Sequence, residues 1–198
     1  KMSACLELAA AARRDGLDAR FVGTGQAGIL IAGQGVPLDA VRVDYAAGAV
    51  EAAVLAAALG AGPASLLLIE GQGSLCHPGS SATLPLLRGS QPSDLLLVHR
   101  AGQGWVRTRA GAAAVAIPAL AEVIAAYEAL AGLGRPAGAA APKVRAIALN
   151  TAGLDTAGAA AALEQCQQSA GLVCDDPVRH GGGKLLRALL AAPALTAP

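Results

Sequence analysis

The sequence predicts an α/β fold in which helices cover both faces of a mainly parallel sheet. Three continuous apolar runs flanked by turn residues, at 65–69, 94–98 and 144–149, are typical of strands buried on both faces. Stretches rich in Ala, Leu and Glu lie between such runs and indicate helices. Strands that alternate with helices form βαβ units, and we therefore expect their strands to be parallel.

The first third of the chain contains the clearest start and stop signals. Residues 2–12 predict a helix that Gly16 ends, and residues 18–23 predict a short strand followed by a Gly-rich stretch at 24–35. A second helix is expected over 39–60, with Asp39 as its N-cap.

The remaining elements are shorter. A short helix or turn is expected at 83–89, and 101–116 is expected to be irregular. Helices are predicted from Pro118 to residue 130, over 156–171 with Thr156 as a cap, and over 183–190; residues 172–174 form a short extended piece.

Composition excludes several classes of protein. Hydrophobic residues make up 54% of the 198 residues and charged residues 15%, which is enough for a sizeable core in one domain spanning 1–198. The net charge of +1 argues against a nucleic-acid surface or a polybasic membrane patch. No stretch is long and apolar enough to span a membrane. Four dispersed cysteines favour reduced thiols, and we expect a cytoplasmic protein.

Polar residues follow each predicted strand. They are Thr24-Gly25-Gln26, Glu70-Gly71-Gln72-Gly73-Ser74, His99-Arg100 and Asn150-Thr151. Ligands of open α/β sheets bind beyond the carboxyl ends of the strands. This pattern therefore predicts a functional site at that edge of the sheet.

Two side chains are candidates for acid–base chemistry. Glu70 follows four apolar residues and precedes a flexible Gly-rich segment, so that it is either a functional carboxylate or a solvated loop residue. His77 is either a proton acceptor or hydrogen-bond donor to a substrate, or a loop histidine bonded to the backbone. The His and Cys spacing is not typical of a zinc site, and no metal ligands are predicted.

Several runs together resemble one family. They are Lys1-Met2-Ser3, Phe21-Val22-Gly23-Thr24-Gly25-Gln26-Ala27-Gly28, Asp39-Ala40-Val41, Ile69-Glu70-Gly71-Gln72-Gly73-Ser74-Leu75, His77-Pro78, Leu149-Asn150-Thr151 and Asp176-Pro177-Val178-Arg179. The chain resembles the carboxy-terminal P-loop domain of a family, long of unknown function, whose characterised members are D-glutamate N-acetyltransferases. It is more distantly similar to dethiobiotin synthetase. The resemblance implies a three-layer P-loop NTPase-like fold.

The same resemblance implies how a co-substrate is held. Lys1 and Met2 match the end of a Gly-rich phosphate loop, and Ser3 fits its hydroxyl position, so that we expect a strand and most of that loop to precede Lys1. Lys1 and Ser3 would hold the phosphates of acetyl-CoA, and Asn150 and Thr151 would lie toward its adenine.

The expected reaction is acetyl transfer from acetyl-CoA to a D-amino acid such as D-glutamate. We expect Glu70 or His77 to take a proton from the substrate ammonium, and backbone amides near 71–74 to stabilise the oxyanion. Thr24, Gln26, Arg100 and Arg179 would contact the small-molecule substrate, and Arg100 or Arg179 would pair with its carboxylate. A homo-oligomer is expected.

Two rival interpretations stay open at this stage. The first is a ligase of the dethiobiotin synthetase type that uses ATP and Mg²⁺. The second is a scaffold without catalysis that keeps a vestigial nucleotide site.

Overall fold

The computed structural model describes residues 1–106 and 114–191 of the 198-residue chain. Within these residues, helices and strands alternate along most of the sequence. In chain order they are α1 (Met2–Arg14), β1 (Ala19–Val22), α2 (Gln26–Ala32), α3 (Val43–Ala58), β2 (Leu66–Ile69), α4 (Thr83–Ser90), β3 (Asp94–Arg100), β4 (Trp105–Val106), β5 (Val115–Ala116), α5 (Leu120–Gly132), β6 (Lys143–Asn150), α6 (Thr156–Ala170), β7 (Val173–Asp175), α7 (Pro177–His180) and α8 (Gly183–Leu190).

The main strands are parallel, as the sequence predicted. β1 pairs with β2, and β6 lies between β3 and β7. Among the described residues these strands form two hydrogen-bonded groups rather than one continuous sheet, and α1 packs against a core that contains residues of both groups. A short antiparallel pair, β4–β5, is the exception to the parallel pattern.

Alternating side chains of β6 explain how the layers hold together. Ala146 and Ala148 pack in the cluster that contains α1 and α8 residues, whereas Ile147 and Leu149 pack against α5 and α6 on the opposite face. Because successive side chains of a strand point to opposite faces, an apolar run such as this one requires helices on both sides. The prediction of a layered α/β fold is therefore confirmed.

Helix α3 begins at Val43, four residues after the predicted N-cap at Asp39. The reason is that the segment before it is held along the end of β1, where the Val36 amide donates to the Gly23 carbonyl and the Leu38 amide donates to the Thr24 carbonyl. Asp39 is thereby left in the turn that precedes the helix.

Three smaller predictions also need correction. The N-cap of α6 is Asp155 rather than Thr156, because the Asp155 carboxylate accepts a hydrogen bond from the Gly158 amide. Helix α7 was not predicted, although Asp176 caps it and Pro177 opens it. The stretch expected to be irregular contains β4 and β5, and its residues 107–113 lie outside the described part.

No helix within residues 1–106 and 114–191 combines the length and the apolar character that crossing a bilayer requires.

Candidate functional site

The ends of β1 and β2 are joined through the buried side chain of Glu70. Its Oε2 accepts hydrogen bonds from the amides of Thr24 at 2.9 Å and Gly25 at 3.3 Å. The Thr24 hydroxyl in turn donates to the Glu70 carbonyl at 2.9 Å. Thr24 is fully buried and Glu70 is 6% exposed, so this carboxylate holds the two strand-end loops together.

Lys1 lies over the loop that follows β2. Its side-chain amine donates to the Gly73 carbonyl, and its aliphatic part lies close to Gly71, where a Cβ would come within 3.3 Å of the Lys1 Cδ. Desolvation lowers the pKa of the Lys1 side-chain amine, while the negative charge of Glu70 acts in the opposite direction. Lys1 therefore points toward the end of β2.

The loop after β2 is ordered by its own short polar side chains. The Ser74 amide donates to the Ser80 hydroxyl at 3.0 Å, and the Leu75 amide donates to the Tyr127 hydroxyl of α5 at 3.2 Å. Gly73 has a φ of +72° and packs against Ser80, so that any side chain at this position would be both strained and obstructed.

These contacts limit which amides can stabilise a developing negative charge. The amide of Ser74 is already satisfied by Ser80. The Gly71 amide donates to the Cys5 thiol. The amides of Gln72 and Gly73 have no acceptor in the part of the chain that the structure describes, and both residues line the cavity described next. Of the amides proposed for an oxyanion, those of Gln72 and Gly73 are the ones available.

A cavity of about 560 Å³ opens between this loop and the segment that precedes α3. Three ionisable side chains line it: Lys1, His77 and Asp39. Asp39 also accepts a hydrogen bond from the Gln26 side chain at 3.3 Å. The cavity thus combines a carboxylate, an amine and an imidazole, which are groups that can bind both charged ends of an amino acid.

The hydrogen bonding of His77 determines which ring nitrogen carries its proton. The Gly79 amide donates to His77 Nδ1 at 3.0 Å. An acceptor nitrogen has no proton, so the neutral ring carries its hydrogen on Nε2. In this state His77 is a hydrogen-bond donor through Nε2, rather than a proton acceptor at that atom.

Other predicted site residues lie elsewhere in the fold. Ser3 is exposed in the first turn of α1, and Arg100 is the exposed last residue of β3; neither lines the cavity of Lys1 and His77. The Asn150 side chain accepts a hydrogen bond from the Ala152 amide at 2.9 Å and is therefore engaged in the turn after β6.

Thr151 and Arg179 belong to a second polar cluster at the ends of β6 and β7. The buried Thr151 donates its amide, at 2.9 Å, and its hydroxyl, at 2.5 Å, to Asp176. Arg179 Nε donates to the Thr151 hydroxyl at 2.8 Å. Arg179 thus braces this cluster, and it lines a different cavity from Lys1 and His77.

Sequence reasoning recognised Lys1, Glu70 and His77 but missed three contributors. Asp39 was interpreted as a helix cap, and neither Ser80 nor Tyr127 was singled out. The run Asp39-Ala40-Val41 was a usable signal, because it forms part of the family resemblance and lies just before a helix. The contacts of Ser80 and Tyr127 depend on how the loop folds and left no local signal.

Comparisons with known proteins place this geometry in a family. A family model described as a domain of unknown function, the DUF1611_C P-loop domain, matches residues 1–186. A crystal structure of a DUF1611 family protein from Anabaena variabilis has a TM-score of 0.87 and 49% sequence identity to this chain, covering 96% of it and 53% of that protein. The P-loop fold expected from the resemblance is confirmed.

Two curated relatives carry the name D-glutamate N-acetyltransferase. The relative from Tritonibacter scottomollicae is 36% identical over 96% of this chain and 54% of its own length. The relative from Pseudoalteromonas sp. is 34% identical over 91% of this chain and 52% of its own length. The chain therefore spans about half the length of the curated relatives it matches.

Proposed function

Because this chain belongs to the DUF1611_C P-loop domain family, we propose that it forms part of an N-acetyltransferase that acts on a D-amino acid such as D-glutamate, with acetyl-CoA as donor. The observation that carries the proposal is the cavity in which Lys1, His77 and Asp39 meet. The names of the two curated relatives support the same activity.

The charges around the cavity suit an amino acid with a second carboxylate. Asp39 is complementary to the substrate ammonium, and Lys1 is complementary to a carboxylate. His77 supplies a further neutral donor through Nε2. This set of groups favours an acidic amino acid over a basic one, because the positive charge of a second ammonium would be repelled by the Lys1 amine.

The reaction joins the substrate nitrogen to the acetyl carbon and breaks the carbon–sulfur bond, which releases a thiol and one proton. Only the free amine attacks, so the ammonium must first lose a proton. Asp39, the carboxylate among the described residues that line the cavity, is in our proposal the group that accepts it. The amides of Gln72 and Gly73 and His77 Nε2 donate to the developing oxyanion.

Glu70 then has a different role from the one expected from the sequence. One of its carboxylate oxygens is occupied by the amides of Thr24 and Gly25, and Glu70 does not line the cavity. We therefore assign Glu70 as a positioning residue that fixes the loop carrying the amide donors.

The first test separates donation by His77 from proton acceptance. In the full-length protein, thiol release from acetyl-CoA with D-glutamate is measured for His77→Gln and His77→Ala. The Gln side-chain amide places an N–H close to the position of Nε2, so we expect H77Q to retain a substantial part of kcat and H77A to lose roughly 10²–10³-fold. Equal losses in both variants would contradict donation.

Asp39→Asn tests the proton acceptor, and we expect it to lower kcat roughly 10²–10⁴-fold. Asp44→Asn, an exposed carboxylate in the first turn of α3, is the matched control and should change kcat little. Phosphate release from ATP, with no thiol release from acetyl-CoA, would instead support the ligase alternative.

A further inference from the structure

We propose a second binding site, for a phosphate monoester, in the cavity between α6 and the α7–α8 segment. This cavity has a volume of about 470 Å³ and shares no lining residue with the cavity of Lys1 and His77. Ala159, Ala160 and Leu163 of α6 form an apolar wall, and the nitrogen-bearing side chains of His180, Lys184 and Arg179 also line the cavity.

His180 is oriented toward this role by a buried carboxylate. Its Nδ1 lies 2.7 Å from Asp175 Oδ1, and the Asp175 side chain is 7% exposed. Asp175 also accepts a hydrogen bond from the Asp176 amide at 2.9 Å, which fixes its carboxylate in place. Since the carboxylate accepts the Nδ1 proton, Nε2 is the free nitrogen of His180, and it has no partner among the residues that the structure describes.

Two cations beside His180 retain unused donors. Lys184 Nζ donates one hydrogen bond to the Cys174 carbonyl, at 2.9 Å. The Arg179 guanidinium uses Nε and one terminal nitrogen on Thr151 and the Leu154 carbonyl. Its other terminal nitrogen, Nη1, has no acceptor in the described part of the chain. The cavity therefore presents donors from Lys184 and Arg179 together with the free Nε2 of His180. Asp175, the one carboxylate among the described residues that line it, is bound to His180.

A phosphate monoester matches these groups in charge and in protonation. Its second ionisation has a pKa of about 6, so that near neutral pH part of the ester carries a proton that an ester oxygen can donate to the free Nε2 of His180. Its three terminal oxygens can meet the three side chains, and its carbon portion can lie on the apolar wall.

The phosphate monoester has two possible sources. One is the 3′-phosphate of coenzyme A, which would make this cavity part of the donor site and would rest on the proposed acetyltransferase function. The other is a separate phosphorylated metabolite. The site itself rests on the side chains of this cavity and not on the acetyl transfer reaction.

The test uses the imidazole signals of the three histidines, observed by proton–nitrogen NMR during titration with inorganic phosphate. We expect a saturable shift of the His180 ring. His180→Asn keeps an N–H for Asp175 but removes Nε2. Because this variant lacks the reporter ring, the phosphate Kd of wild type and variants is measured by isothermal titration calorimetry, and we expect H180N to weaken binding roughly tenfold, a loss of about 1.4 kcal/mol. Lys184→Met should also weaken binding, whereas His99→Asn, a change outside the cavity, should not.

Coenzyme A and dephospho-coenzyme A, which lacks the 3′-phosphate, then distinguish the sources. If coenzyme A shifts the His180 signal and dephospho-coenzyme A does not, the 3′-phosphate of the acetyl donor is the source. If phosphate shifts the signal and coenzyme A does not, the source is a separate phosphorylated metabolite. Either result supports the site. No saturable shift of His180 with phosphate, a shift confined to His77, or an unchanged Kd in H180N would overturn it, whatever the outcome of the acetyl transfer assay.

Discussion

At the scale of single residues, the partner of Nδ1 gives two histidines opposite chemistry. His77 accepts a hydrogen bond at Nδ1 from an amide, and His180 offers Nδ1 to the Asp175 carboxylate. Neutral His77 is therefore a donor through Nε2, and neutral His180 is an acceptor through the same atom. The residue type alone predicts neither role, because it does not specify the partner of Nδ1.

Gly28 is a residue whose small size supports the site. It lies in α2 with its Cα against Glu70, and a Cβ there would fall well inside van der Waals contact with Glu70 Oε2. We expect Gly28→Ala to destabilise the protein by roughly 2 kcal/mol despite the better helix propensity of Ala, because the buried carboxylate must move. Urea unfolding measures the change.

Gly48→Ala is the matched control. Gly48 lies inside α3, and a Cβ at that position meets no atom within 4 Å. Ala should therefore stabilise this helix by about 1 kcal/mol. Equal effects of the two substitutions would mean that contact with Glu70 is not what requires glycine at position 28.

At the scale of elements, local sequence signals were most reliable where they agree with packing. The runs at 94–98 and 144–149 became β3 and β6, because their apolar side chains are needed on both faces. The start of α3 was displaced from Asp39 to Val43, because tertiary hydrogen bonds to the end of β1 hold the preceding residues extended. Helix boundaries therefore depend on contacts that a local pattern does not contain.

The N-cap of α6 gives a prediction at this scale. The Asp155 carboxylate accepts a hydrogen bond from the Gly158 amide at 2.7 Å. We therefore expect Asp155→Ala to lower the free energy of unfolding by about 1 kcal/mol. Asp155→Ser retains an oxygen acceptor and should lose much less. If Ala and Ser have equal effects in urea unfolding, the cap does not stabilise α6.

At the scale of the whole molecule, Asp176 joins the ends of two strands and the following helix. It accepts hydrogen bonds from Thr151 after β6 and from the Val178 amide in α7. Burial by itself would raise the pKa of Asp176, but the hydrogen bonds from Thr151, Val178 and Arg179 outweigh burial, and the net pKa is lowered. The ionised form is therefore the one that the fold stabilises.

This lowered pKa predicts an acid dependence of stability. A carboxyl whose pKa is lower in the folded state contributes stability above its unfolded pKa, ordinarily 3.8, and loses it as the pH falls through the folded value. We expect Asp176→Asn to lower the free energy of unfolding at neutral pH by roughly 2–3 kcal/mol, because an amide cannot accept from all the same donors. The difference in the free energy of unfolding between wild type and Asp176→Asn should become smaller below pH 3.8. Urea unfolding across the pH range measures this difference. A difference that stays constant down to acid pH would contradict the conclusion that ionised Asp176 stabilises the fold.

The sequence alone determined the layered α/β fold, the parallel main strands and the family, since apolar periodicity and short motifs are local properties of the chain. It also singled out Lys1, Glu70 and His77 as candidate site residues. Only the tertiary structure decided that Glu70 anchors two loops, that Asp39 lines the cavity and that Arg179 braces another cluster. The physical reason is that these roles depend on hydrogen bonds between residues far apart in sequence, whose geometry exists only once the elements have packed.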